Sequence, residues 1–433
     1  GDAVYSDVAL SIDYNDVYPE SGAYANVTPG PNSLAVDPLL ANPAAGNFHL
    51  QDDSPVIDQG DPTMTLLHDF DGDLRPGDQG FDMGADERRS CYARIVRTGV
   101  VYGNIQRAVD HSLPDDVIQV TIGECRGVNT YIDGGQTLSQ TVLITHDLTL
   151  MGGFNDAFTT QCQGPQGYPD LACATTFDPE GLGRAVLVTH TAVITLDRFN
   201  LVYGDATGLG GGLGGVDAGG GLYFNGPEGT LTHVDFYSNT ATYGGAFYNA
   251  GDQMLMENSW IHYNTAEDGG AIYNATGVLT VAGQTQASIL TDNEAASRGG
   301  GLFNASGEVW VVDNHLDNSL GILGLNRAAQ GGVIYNDAGT MVVENNTISE
   351  NEATDGGAIY NATGTITLTL NQILDNRALS GSGRGGGFFN DTGTATLDLG
   401  NHFDGNISGG NGGAIYSVGG DLTVWNQLIY NNN

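Results

Sequence analysis

GGAIYNATG occupies Gly269–Gly277 and returns letter for letter at Gly356–Gly364. Looser copies, a Gly pair followed by small, aliphatic and aromatic residues and usually Asn, begin at Gly219, Gly244, Gly299, Gly331, Gly385 and Gly412. Successive starts lie 25 to 32 residues apart. A period of that length signals one supersecondary unit stacked many times. A second motif precedes most copies: a large apolar residue, two others, then Asn. It reads FYSN (236–239), IHYN (261–264), LTDN (290–293), ISEN (348–351) and ILDN (373–376), with looser forms at 323–326 and 403–406.

Between the motifs lie short alternating stretches such as GVLTVAG (277–283), GTITLTL (364–370) and GTATLDL (393–399). Alternation with period two, rich in Thr, Val, Ile and Leu, marks strands with one face inside and one outside. Each interval holds about three such strands, which is the coil of a right-handed parallel β-helix. The fold class read from the sequence is therefore all-β, a pectin-lyase-like solenoid with three strands per coil. Gly permits positive φ and close backbone approach at the corners, Asn tolerates the left-handed region and stacks in ladders, and the aromatic rings stack coil on coil. Asp268 then Arg298, and Asp355 then Arg384, stand just before successive Gly pairs and are expected as opposite-charge neighbours, each a surface pair of little weight.

The chain has 433 residues, 66 of them Gly, and a formal charge of −38; all 13 basic residues are Arg. That balance argues against nucleic acid and anionic membranes, since like charges repel. No apolar run is long enough to span a bilayer as a helix. Residues 102–120, YGNIQRAVDHSLPDDVIQV, predict a short capping helix near 104–111. Asn104 would be its N-cap, Ile105, Ala108 and Val109 would form one apolar face, and a strand follows. A β-helix is thus expected to start near residue 91, with strands at 141–151 and 185–202. Residues 1–90 read as the last coil and terminating segment of a β-helix, and 91–433 as a capped β-helix with an open C-terminal end. Cys91, Cys125, Cys162 and Cys173 lack CxxC zinc spacing; two disulfides are expected, preferably 91–125 and 162–173, out of three pairings.

The GGAI-type and FxxN-type repeats over 219–433 resemble the polymorphic outer membrane protein repeats of bacterial surface autotransporters. SPVIDQGDP (54–62), DFDGDLRP (69–76) and FDMGADE (81–87) resemble the C-terminal segment of choice-of-anchor type exported bacterial β-helix proteins. Both resemblances imply a parallel β-helix exported to the cell surface or medium, and neither implies an activity.

The order of parts raises a further expectation. GDAVYS (1–6) parallels GGAIYS (412–417), and ALSIDYN (9–15) loosely parallels DLTVWNQ (421–427). The first residues read as a coil that completes an open β-helix end. The chain is therefore expected to assemble head to tail as a homopolymer, or to be one period of a longer tandem repeat. The residues expected to carry that contact are Gly1, Ala3, Val4, Tyr5, Leu10, Ile12, Leu422, Val424, Leu428 and Tyr430.

Other chemistry is sparse. The acids of 219–433 are scattered and no HxH or HExxH pattern occurs, so catalysis is not expected. The alternatives to a structural filament are an adhesin or glycan binder, and then a polysaccharide lyase or glycoside hydrolase. An exposed aromatic strip would favour the binder and a carboxylate cluster in a groove the enzyme. Calcium is the only cofactor considered. Asp69, Asp71, Asp73, Asp78, Asp82 and Asp86 offer hard oxygens, set against a tight turn neutralised by Arg75. Asn274, Asn304, Asn361 and Asn390 head glycosylation sequons that coincide with the repeat motif, where turn chemistry is the plainer reading.

Overall fold

The computed structural model describes residues 4–18, 24–43, 47–51, 54–66, 69, 75, 80–86, 91–102, 104–133, 136–155, 157–162, 173–210, 215, 217–283, 287–314, 323–379 and 381–433. Gly1, Ala3, Asp71, Asp73 and Asp78 lie outside them. The chain divides into two compact units, Gly1–Cys91 and Tyr92–Asn433.

The larger unit is a parallel β-helix of about ten turns. Three long sheets run along it, and each coil contributes one strand to each sheet. The first sheet contains the motif strands, for example Ile272–Asn274 against Leu302–Asn304. The second contains the Thr-rich strands, for example Thr365–Thr369 against Thr394–Asp398. The third contains the strands leading to the FxxN corner, for example Gln372–Leu374 against His402–Asp404. Alternation does what the pattern promised: Ile366 and Leu368 are buried while Thr365 is exposed. Each large apolar side chain taken inside contributes on the order of 1.5–3 kcal/mol, and Ile359, Ile366 and Ile373 show one such residue per sheet within a single coil.

Helix α1 (Ile105–His111) stands at the start of this unit. Asn104 accepts a hydrogen bond from the Arg107 amide at 3.2 Å, and Ile105, Ala108 and Val109 are the buried face. The stretch expected as one strand at 141–151 is two, Gln136–Ile144 and Leu148–Phe154, because His146 and Asp147 turn a corner between sheets. Residues 185–202 likewise divide into Arg184–Val188, Ile194–Asp197 and Phe199–Val202, one strand per sheet. Cys162 and Cys173 are bonded. Cys91 and Cys125 are also disulfide-bonded, which leaves them to each other.

The smaller unit opens with β1 (Val4–Ile12) and β2 (Tyr24–Pro29), which pair in parallel. β3 (Leu40–Asn42) and β4 (Asn47–Leu50) form an antiparallel pair. Leu50, Val56 and Met83 make a small core, with Leu34, Val36, Leu40 and Ile57 packed on it.

Candidate functional site

The repeated motif is built into the scaffold. The first Gly of each pair, from Gly219 to Gly412, has φ between 60° and 70°, where an L side chain is strained. The second lies against the next coil: a Cβ on Gly357 would sit 2.3 Å from the Gly386 carbonyl oxygen. The motif Asn residues form a buried ladder. Asn274 donates from Nδ2 to Oδ1 of Asn304 at 3.0 Å, and Asn361 to Asn390 at 2.8 Å. All four sequon residues, Asn274, Asn304, Asn361 and Asn390, are fully buried here. An oligosaccharide on any of these amides would break the ladder, so the turn chemistry accounts for the sequons.

A second ladder follows the FxxN corner, Asn239–Asn264–Asn293–Asn326–Asn351–Asn376–Asn406–Asn432. A third, which the sequence reading did not pick out, joins Asn314, Asn346, Asn371 and Asn401. Its signal was an Asn two or three residues after each of the strands Glu308–Val312, Thr340–Glu344, Thr365–Thr369 and Thr394–Asp398. Buried corner amides have no water to bond, and these side chains satisfy them.

The motif aromatics stack outside the first sheet, from Tyr273 on Phe303 at 4.7 Å to Tyr360 on Phe389 at 4.5 Å. The charge pairs are more than the weak surface contacts expected. Arg298 grips a buried Asp268 through two bonds and lies 4.7 Å over the Phe303 ring. Arg384 grips Asp355 the same way and lies over Phe389. The bidentate geometry makes each pair a clamp between coils, the Asp268 pair being the more buried of the two.

Two further coils carry the same chemistry. In the coil formed by Ile415–Ser417, Asp421–Val424 and Leu428–Tyr430, Leu428, Ile429 and Tyr430 are 56, 46 and 43 % exposed. Phe403, in register with Ile429 one coil earlier, is fully buried. Val424 is also exposed and Leu422 half-exposed. In the smaller unit, β1 pairs only with β2 among the described residues, and Tyr5 and Leu10 are exposed. Val4 and Ile12 are half-buried. Residues 12–15, Ile-Asp-Tyr-Asn, repeat the FxxN corner. Tyr14 has φ 55°, like Tyr263 and Asp375 before their ladder Asn residues. The closer counterpart of ALSIDYN is therefore LIYNN (428–432) rather than DLTVWNQ.

The acidic segment is tied into the small core. Asp82 is fully buried and accepts from the Asp58 amide at 2.8 Å, and Asp86 accepts from the Leu50 amide at 2.7 Å. Arg75 donates to the carbonyls of Asp82 and Gly84. Asp69 is half-buried. Among the described residues no group of three or more His, Cys, Asp or Glu gathers as a metal site would require.

On the third sheet, Tyr203, Tyr237 and Tyr263 form an edge-to-face cluster across three coils. Beneath it, Oδ1 of Asp235 lies 3.0 Å from Nε2 of His262, and both side chains are buried. Burial pushes the Asp235 carboxyl up, and His262 counters it. Nearby, burial pushes Asp178 up to about 6, opposed by the Glu180 amide and Arg126. A carboxyl that holds its proton more tightly in the folded state favours folding at low pH, and that stability is lost as pH rises from about 4 to about 6. Asn at 178 keeps the acceptor and removes the charge. Asp178→Asn is expected to be more stable than the wild type by about 3 kcal/mol at neutral pH, the gain vanishing below about pH 4. Thermal melts across pH test this; a gain that persists at pH 3 would refute it.

Residues 402–418 match the Chlamydia polymorphic membrane protein repeat. The chain is a parallel β-helix resembling proteins built on that repeat. No curated protein matches. Among solved structures, the mannuronan C-5 epimerase AlgE6 A-module of Azotobacter vinelandii is similar at 13 % identity and a TM-score of 0.34, over 76 % of this chain and 95 % of that one. No helix among the described residues is long and apolar enough to cross a membrane.

Proposed function

We propose that this chain is a non-catalytic structural protein of a bacterial surface or extracellular layer, and that its β-helix units stack end to end. The coil chemistry repeated in the first residues carries this reading: Ile12–Asn15 copies the FxxN corner of the long β-helix, with Tyr14 at φ 55°. The dense negative charge supports an extracellular, solvated surface. The match to the polymorphic membrane protein repeat supports a surface location. A unit of about twelve coils at ~4.8 Å each would repeat every ~60 Å along a fibre.

Sedimentation of the 433-residue chain over a roughly hundredfold concentration range, with electron microscopy at the upper end, tests the proposal. The expected result is a species that lengthens with concentration into fibres. Ile429→Arg places a charge on the open coil and should hold the protein as a folded monomer. A wild type that stays monomeric throughout overturns the reading.

A further inference from the structure

We infer that the tyrosine cluster on the third sheet is a binding notch for a small quaternary ammonium solute. The inference does not depend on how copies of the chain stack.

The notch follows from register. Val202, Tyr237 and His262 pair in turn across three adjacent coils. The next residue in each coil turns the corner with positive φ: Tyr203 at 53°, Ser238 at 53° and Tyr263 at 56°. Two tyrosines therefore stand at corners two coils apart, ~9.6 Å by backbone. The corner between them carries only the short side chain of Ser238. Tyr203 and Tyr263 are 49 and 55 % exposed. The half-buried Tyr237 lies between them, its ring centroid 5.5 Å from Tyr203 and 5.8 Å from Tyr263, at 78° and 83° to their planes. Three phenol rings border one gap.

The floor of the gap is closed. His262 is buried, stacks on Trp260 at 4.0 Å and lies 5.0 Å from Tyr237 and 5.3 Å from Tyr263. Its Nε2 is 3.0 Å from Oδ1 of the buried Asp235. Each of these two groups answers the other, and neither is left to serve a ligand.

Charge selects the occupant. Phe177 pairs with Leu201, so Asp178 stands on the coil before Tyr203, with Glu180 at the corner after it. Glu124 lies one coil further back. Arg126, the base that acts on Asp178, already grips Glu124 at 2.6 Å. Three acids thus face one base on this side of the notch. On the other side, the corner after Tyr263 carries Asp292, at φ 54°. A cation midway between the two tyrosine corners lies ~4.8 Å from each, inside the ~6 Å reach of a cation–π contact. A quaternary ammonium has no N–H to donate, so ring faces and through-space negative charge are what hold it. A glycan chain is served less well. It stacks on rings that lie parallel, as Tyr273 and Phe303 do at 14° on the first sheet, whereas these rings meet at right angles.

Choline titrated into the 433-residue chain tests this, followed by calorimetry and by saturation-transfer NMR on the choline methyl groups. Saturable binding is expected, with a dissociation constant on the order of 1 mM. The uncharged carbon analogue dimethylbutanol should bind about tenfold more weakly. Tyr203→Leu and Tyr263→Leu keep apolar bulk at the corners, and Leu325 already fills the same corner two coils after Tyr263, at φ 57°. Each should weaken choline binding about fivefold. Asp178→Asn should weaken it about threefold at low salt. No saturable choline binding, equal affinity for dimethylbutanol, or affinity unchanged in both Leu variants overturns the site. Binding of a neutral gluco-oligosaccharide that is lost in the same variants overturns the ligand class in favour of a glycan. Retention on phosphatidylcholine vesicles without binding of free choline overturns the free solute as the occupant.

Discussion

Gly357→Ala is expected to lower stability by about 3–5 kcal/mol, although it adds only one methyl group. The new Cβ would lie 2.3 Å from the Gly386 carbonyl oxygen and 2.6–2.7 Å from backbone atoms of Arg377. All three are main-chain atoms of the next coil and cannot rotate away. The only relief is to part coils whose separation is set by their hydrogen bonds at about 4.8 Å. Gly381→Ala is the matched control: nothing lies within 4 Å of its Cβ, and its φ is not in the left-handed region. It should stay within about 0.5 kcal/mol of the wild type. Chemical denaturation followed by circular dichroism measures both. Equal stability of the two variants would show that the coil spacing is softer than the geometry implies.

Asn376→Ala should cost about 3–5 kcal/mol. The side chain is fully buried. It accepts from the amide nitrogen of Asn351 at 3.0 Å and from its Nδ2 at 2.9 Å, and donates to Asn406 and to the Ile348 carbonyl. Removing it strands two donors and a carbonyl on the preceding coil and takes a bond from Asn406 on the following one, and an unmet buried polar group costs about 1–3 kcal/mol. Because each coil of a solenoid touches only its neighbours, the loss should be local. Hydrogen exchange should rise in the coils around 348–351 and 403–406 and stay unchanged near α1. Protection that falls evenly along the whole unit would argue against a nearest-neighbour scaffold.

Much of the scaffold was legible because the solenoid is periodic. One coil's requirements are every coil's requirements, so the Gly corner, the inward Ile or Leu and the Asn are rewritten at each turn. Asn104 and the apolar face of α1 were readable for a similar reason, since a helix N-terminus needs a local acceptor whatever its surroundings. Legibility failed where neighbours in space, not in sequence, set the answer. Asp268 and Arg298 looked like exposed charges, but the aromatic stack and the next coil bury the carboxylate and seat the guanidinium over Phe303. The run at 141–151 looked like one strand because the corner at His146–Asp147 contains no Gly or Pro. At Asn274 and its equivalents turn chemistry was the plainer reading, but a sequon carries no sign of burial, and only the structure showed the side chains buried.

The first residues divide the two kinds of information most sharply. The parallel of GDAVYS with GGAIYS suggested that the two ends of the chain share coil chemistry, and the apolar residues involved could be named. Which corner the first residues copy was decided by backbone conformation: Tyr14 is left-handed and Asn15 bonds back to the Asp13 carbonyl, as in the FxxN corners. Sequence by itself determined the period, the strand faces and the residue types at each corner, because these follow from local stereochemistry repeated along the chain. Tertiary structure alone decided which of those residues are buried and which ladder each Asn joins. Those properties belong to the stacking of coils 25 or more residues apart, where hydrogen-bond direction and exclusion of water are fixed.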